Sequence, residues 1–193
     1  MPLPLILGST SPYRKQLLER LGIVFTSASP DVDESRLPEE PPEAMVRRLS
    51  ESKVRAVAAQ HSNALIIGSD QMAVCGDEVL GKPGTHDNAA TQLAHLSGKR
   101  VTFLTGLCLY NSATGHMQLD VIPFHVVFRM LDAAMIDNYL KREQPYNCAG
   151  SFKSEGLGTA LFERLEGDDP TALIGLPLIR LTRMLENEGI RVI

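Results

Sequence analysis

Apolar residues in this chain come in two rhythms. Short apolar runs, Leu3–Gly8 and Leu65–Gln71, are rich in leucine and isoleucine and lead into Gly-Ser, as buried strands entering turns do. Longer stretches repeat their apolar positions every three or four residues, as helices with one buried face do. The first, Tyr13–Leu21, carries Leu17, Leu18 and Leu21 at that spacing, with Ser11 as N-cap, Pro12 at the first helical position and Gly22 as the stop. Ile23–Thr26 reads as a second short strand. Pro42 to Gln60 reads as a helix with Met45, Leu49 and Val57 on one side. Its Arg47, Arg48 and Arg55 read as solvent face, whereas Lys53 lines up beside the apolar stripe and either snorkels or points into a cleft.

Further along, Met72–Val74 and Glu78–Leu80 can pair around Gly76-Asp77, a good hairpin dipeptide. Thr85–Leu96 follows as a helix, then Val101–Tyr110 and Met117–Arg129 as an antiparallel pair. Asp132 caps a helix through Leu140, and residues 144–158 form a glycine-rich irregular stretch. A strand over Thr159–Leu165 and a helix over Pro177–Asn187 close the chain. Strands interleaved with helices place it in the α/β class.

Composition narrows the function classes. The 193 residues suit one domain, 44% hydrophobic and 22% charged content suit a folded globule, and a net charge of −4 supplies no basic footprint for nucleic acid. An anionic ligand then needs a local cluster of cations. Cys75, Cys108 and Cys148 are scattered and odd in number, without a Cys-x-x-Cys, which favours free thiols in a reducing cytoplasm. The chain enters its first apolar run without a basic leader or a long apolar segment, so neither a signal peptide nor a spanning helix is expected.

Several pieces then suggest phosphate chemistry. Strand, small-residue turn Ser9–Ser11 and helix N-terminus make an anion site, because free N–H groups and the helix dipole point the same way. Arg14 and Lys15 in that first turn oppose the dipole, which is sensible beside a bound phosphate, although two solvated surface charges are the simpler alternative. Asp70 is expected just past a strand end, where open α/β sheets put their chemistry, or else as a turn cap. Lys82 sits on a turn pinned by Gly81 and Pro83. Gly76 to Pro83 nearly spells a P-loop, but Pro83 has neither the hydroxyl nor the N–H that the last position supplies, so a P-loop is rejected. Gly156 and Gly158 lack the third glycine of a dinucleotide fingerprint. His116 and His125 read as surface or packing residues, and Cys148 lacks a matched histidine. There remain Ser9, Arg14, Lys53 and Lys82 to handle anions, and Glu34 with Asp70 to hold a hard cation such as Mg²⁺.

Taken together, Ser9-Thr-Ser-Pro-Tyr-Arg14, Val32-Asp-Glu34, Gly68-Ser-Asp-Gln71, Gly81-Lys-Pro83, Gly150-Ser-Phe-Lys-Ser-Glu-Gly156 and Gly175-Leu-Pro-Leu178 resemble the Maf family of nucleotide pyrophosphatases, in order over essentially the whole chain. The resemblance implies a two-lobed, mixed-sheet α/β fold like that of inosine-triphosphate pyrophosphatases over residues 1–193, and a homodimer. It implies cleavage of a nucleoside triphosphate to the monophosphate and pyrophosphate with Mg²⁺, Mn²⁺ or Co²⁺. By motif, Asp70 would be the general base, Glu34 and Asp70 would hold the metal, and Ser9, Arg14, Lys53 and Lys82 would bind the triphosphate. Tyr13, Gln71 and Glu155 look like the base-reading set of the 7-methyl-GTP branch, in place of the arginine, threonine and glutamine of the branch acting on dTTP and UTP. The physics agrees, since a methylated, cationic guanine favours an aromatic face and a carboxylate. Tyr13 stands where that branch usually has tryptophan, so it keeps a ring but stacks less area. A nucleotide-binding regulator of septum formation without catalysis, and a nucleotidyl or phosphoryl transferase, are the competing readings. The implied partners are a nucleotide and a second copy, without nucleic acid or membrane.

Overall fold

A computed structural model describes residues 3–193. In chain order the elements are β1 (Leu5–Gly8), α1 (Pro12–Glu19), β2 (Thr26–Ala28), α2 (Pro42–Ala58), β3 (Leu65–Cys75), β4 (Glu78–Leu80), α3 (His86–Leu96), β5 (Arg100–Asn111), β6 (Met117–Phe128), α4 (Ala133–Glu143), β7 (Phe162–Glu166) and α5 (Leu178–Asn187). The strands form a mixed sheet in the order β2-β1-β3-β5-β6-β7, with β4 paired to β3. The chain divides into two compact units. The first comprises the segment ending at Gln71, Leu104–Ile122 and Asp169–Ile193; the second comprises Met72–Phe103 and Pro123–Asp168.

In the first unit β1 runs parallel to both β2 and β3. Leu5, Leu7, Leu65, Ile67, Leu107 and Leu109 join Leu17 and Leu18 of α1 and Leu181, Met184 and Leu185 of α5 in one apolar cluster. The intervening Ile6, Ile66 and Cys108 join Val54 and Val57 of α2 in another. Alternate side chains thus bury opposite faces of the same strands, which explains why these strands read as continuous apolar runs.

Helix α2 sits unusually close to the sheet because three neighbouring strands offer it glycine. A Cβ on Gly68 would lie 2.5 Å from the Ser50 carbonyl oxygen, and one on Gly106 would collide with the Val46 carbonyl and the Ser50 hydroxyl. A Cβ on Gly8 would come within 3.3 Å of a Val57 methyl. This corrects one expectation. The sequence pattern places a turn at Gly68-Ser69 ending the central strand, but β3 continues to Cys75 and Asp70 lies within it. Gly68 is needed for the close approach of a helix, not for a turn.

Two other boundaries move for local reasons. β1 begins at Leu5 rather than Leu3, because Pro4 has no N–H for the ladder and contributes only its carbonyl, which accepts from Leu65 N at 2.9 Å. β2 begins at Thr26, opposite Ile6, while Ile23 and Phe25 pack on the core without strand pairing and Val24 is exposed. Ser11 and Asp132 cap their helices as the sequence predicts, and at α3, where Thr85 and Asp87 both stand near the start, Thr85 is the cap; each accepts from the backbone N–H three residues on.

The second unit is built around Phe103, Phe128, Phe152 and Phe162, packed edge to face with ring centres 5.0–5.6 Å apart. β7 pairs antiparallel with β6 there, and β4 with β3.

Candidate functional site

The chemistry of the first unit converges on one ammonium. Lys53, on α2, is only 4% exposed, and its Nζ lies 2.6 Å from Asp70 Oδ1 and 2.7 Å from Glu34 Oε1. The three residues come from a helix, a strand and a loop. They meet because the glycines under α2 lower that helix onto β3. Arg14 belongs to the same electrostatic group: burial pulls its guanidinium pKa down, while Asp70 and Glu34 push back and favour the cation.

Arg14 is held from behind. Its Nε donates to the Gly175 carbonyl at 2.8 Å, and that oxygen also accepts from the buried Ser69 hydroxyl at 3.0 Å. Gly175 sits at φ 119°, a conformation that favours glycine, so the Gly-Leu-Pro-Leu motif serves to aim a backbone oxygen at Arg14. Lys15, the other first-turn cation, is exposed and lies 3.9 Å from Glu19.

Ser9 is nearly buried and its Oγ accepts from Ser11 N at 3.1 Å. It lines a concave pocket of about 300 Å³ with Thr10, Ser11, Pro12, Lys15 and Ser27–Ser29. That pocket includes the first turn of α1, the positive end of the helix dipole. Tyr13, in the same turn, is 38% exposed, so its ring is accessible to a ligand.

Gln71 is partly committed. Its amide nitrogen donates to the carbonyls of Ala172 at 2.7 Å and Leu173 at 3.1 Å and to Thr105 Oγ1 at 3.1 Å. It therefore ties the 3-10 turn Pro170–Ile174 to β3.

Lys82 and Glu155 belong to the second unit, and both are exposed. The loop carrying Lys82 is fastened to α3: Asn88 donates to the Pro83 carbonyl and Gln92 to the Gly81 carbonyl. Gln92 has a second task, for its Oε1 accepts from the fully buried hydroxyl of Ser151, whose φ is +62°. Glu155 follows on the same glycine-rich segment. Glu143 steadies that segment by accepting from Leu157 N at 2.8 Å and pairing with Lys153. Burial raises the Cys148 thiol pKa, which keeps it protonated and unsuited to nucleophilic attack.

Two residues escaped the sequence reading. Arg48, read there as solvent face, grips Glu40 with both arms of its guanidinium, at 2.6 and 2.8 Å, and reaches the Ser35 carbonyl at 3.0 Å. Glu40 is only 8% exposed. A cation one side of a helix and a carboxylate in a proline-rich loop carry no sequence signal for such a pair. Arg48 holds the Glu40 carboxyl at about 2, well below its usual 4.5. A depressed folded value stabilises the fold above the unfolded value, and the contribution is lost as pH falls from about 4.5 towards 2. Urea midpoints measured at pH 5 and pH 3 are therefore expected to fall further for the wild type than for Glu40→Gln.

The donor set suits a hard divalent cation. Two carboxylates from separate segments converge on one point, and Mg²⁺ commonly takes one or two carboxylates with phosphate oxygens and water completing its shell. Among the described residues, no three His, Cys, Asp or Glu side chains make a self-contained cage.

The Maf-like protein family model matches residues 4–188. The chain belongs to the Maf-like family. Maf-like relatives named 7-methyl-GTP pyrophosphatase match it along its length. The protein from Nitrosococcus oceani is 57% identical over 100% of this chain and 96% of its own length. Those from Alcanivorax borkumensis and Pseudomonas putida are 58% and 56% identical, covering 97% and 98% of this chain and 95% and 99% of their own. Among solved structures, the Staphylococcus aureus Ham1 protein superposes with a TM-score of 0.54 at 11% identity, over 96% of this chain and 99% of that one. At that identity the likeness concerns the fold, and it agrees with the mixed-sheet α/β architecture expected for a Maf-like chain.

Proposed function

We propose that the chain is a metal-dependent nucleoside triphosphate pyrophosphatase that hydrolyses 7-methyl-GTP to 7-methyl-GMP and pyrophosphate by attack of water at the α-phosphorus. The observation that carries this reading is the convergence of Asp70 and Glu34 on the buried Lys53 ammonium. The names of the relatives support the choice of substrate.

In this reading Asp70 is the general base. Lys53 occupies its Oδ1, so Oδ2 takes the proton from water. An ordinary carboxylate is a weak base for this task. Mg²⁺, Mn²⁺ or Co²⁺ held by Glu34 and Asp70 would supply acidity to the water and charge neutralisation at the phosphates. Ser9, Arg14, Lys53 and Lys82 bind the triphosphate and stabilise the charge that develops on the departing pyrophosphate. Arg14 suits this because the Gly175 carbonyl pins its Nε, leaving the other arms to be aimed at phosphate oxygens. Tyr13 stacks on the base, Gln71 offers its carbonyl oxygen, and Glu155 accepts from the guanine N1–H and N2 amine. The whole chain works as one Maf-like domain, as a homodimer in the cytoplasm, without nucleic acid or membrane as partner. The net charge of −4, the free cysteines and the lack of any described helix long and apolar enough to cross a membrane support that setting.

The test is a product-resolved screen of canonical and methylated nucleoside triphosphates with each cation. Pyrophosphate and 7-methyl-GMP are the expected products. Orthophosphate as the primary product, or label transferred to an acceptor other than water, would refute the reaction class. For specificity, Glu155→Gln is expected to reduce the kcat/KM preference for 7-methyl-GTP over UTP about tenfold, on the scale of one lost charged hydrogen bond. An unchanged ratio would remove Glu155 from the base-reading set.

A further inference from the structure

Glu34 poses a problem of placement. Its side chain is 61% exposed, on a loop between β2 and α2 without regular structure, in a stretch that also carries Asp31, Asp33, Glu39 and Glu40. Left alone, such a loop would drift from Asp70, because like charges repel and ordering a loop costs about 1–2 kcal/mol of backbone entropy per residue. Lys53 holds the end of the Glu34 side chain. The backbone is held elsewhere.

The holding device is a closed knot with Glu40 at its centre. The Glu40 carboxylate takes both arms of Arg48 and the N–H of Leu37 at 3.1 Å, and its carbonyl takes Nε and Nη2 of Arg36 at 2.9 and 2.7 Å. Immediately before it, Glu39 is in the left-handed region at φ 55°, a conformation that a non-glycine residue keeps only when its surroundings enforce it. Arg48 Nη2 also reaches the carbonyl of Ser35, the residue after Glu34. Arg48 and Lys53 lie on one helix, so α2 grips the loop beside Glu34 with one cation and the Glu34 carboxylate with another.

We propose that Arg48, acting through Glu40 and the Ser35 carbonyl, is a positioning residue that sets Glu34 opposite Asp70 and thereby sets the divalent-cation affinity of the site. The proposal rests on the metal reading above and adds to it residues that touch neither nucleotide nor cation. Arg48 achieves this as arginine does, by a planar two-point grip that a lysine cannot copy.

The test measures Mn²⁺ binding directly, from the electron paramagnetic resonance signal of free Mn²⁺ titrated into the full chain with the non-hydrolysable α,β-methylene analogue of 7-methyl-GTP. Arg48→Met is expected to weaken Mn²⁺ binding about tenfold, and Arg48→Lys to restore little of it. Glu40→Gln, which keeps the size of the hub, is expected to weaken binding severalfold and provides the readout if Arg48→Met does not fold. In turnover assays the half-saturating Mn²⁺ concentration should rise while kcat at saturating Mn²⁺ stays within about threefold of wild type. Glu34→Gln separates the two layers. If it weakens Mn²⁺ binding while folded Arg48 and Glu40 variants bind as wild type does, Arg48 is merely structural and the inference is overturned with the metal reading intact. If Glu34→Gln also binds Mn²⁺ normally, the metal reading of Glu34 fails and the inference fails with it.

Discussion

Asp70→Asn is expected to lower kcat/KM for 7-methyl-GTP by about a thousandfold or more, within the range of 10²–10⁴ that a positioned base contributes together with loss of a metal carboxylate. Asparagine fills the same space and still accepts from Lys53 through its oxygen, but it cannot take a proton. Asp70 is largely buried but lies outside both apolar clusters, and Lys53 keeps Glu34 as its counter-charge. The folded state should therefore survive, so that the loss reads as chemistry. The check is pyrophosphate release, followed at saturating Mg²⁺ beside a thermal melt. Turnover within tenfold of wild type would mean that another group activates the water.

The second large effect lies beneath the helix. Gly106→Ala places a methyl where the Val46 carbonyl and the Ser50 hydroxyl already are, and a backbone oxygen cannot swing aside as a side-chain tip can. Helix α2 has to lift. Overpacking of this kind costs about 1–3 kcal/mol and occasionally more, and in a chain of this size each kcal/mol lowers Tm by about 2–4 °C. A fall of about 5–10 °C is expected by calorimetry. The same displacement withdraws Lys53 from Asp70, and misplacement by about 1 Å is enough to cost about a hundredfold in rate. Gly81→Ala is the contrast, because open space surrounds the added methyl and Tm should scarcely move.

What the sequence discloses divides along local and tertiary lines. Ser11 and Asp132 announce their helices because a cap is a bond between a side chain and a backbone N–H three residues away. The apolar runs of β1 and β3 announce buried strands. Gly68 misleads, since glycine before a serine and an aspartate is the usual spelling of a turn, and only the position of α2 shows that it makes room for a helix. Its position beside the apolar stripe leaves Lys53 either snorkelling or turned inward, and the structure buries its ammonium against two carboxylates rather than letting it snorkel. Residue chemistry groups Lys53 with Glu34 and Asp70 as candidates and the family resemblance gives them roles, but nothing in their spacing joins a loop, a helix and a strand in space. Arg48 and Glu40 were invisible for the same reason, without a motif to compensate.

Gln92 sets a rule for anyone exchanging loops between proteins of this fold. Its amide gives a hydrogen to the ribbon that bears Lys82 and takes one from the ribbon that leads to Glu155. Glutamate there could serve only the second ribbon and lysine only the first. A graft of the 150–158 segment from another scaffold must therefore keep a hydrogen-bond donor at position 151 for Gln92 to accept, or the transplanted ribbon will lose its fastening to the one that bears Lys82.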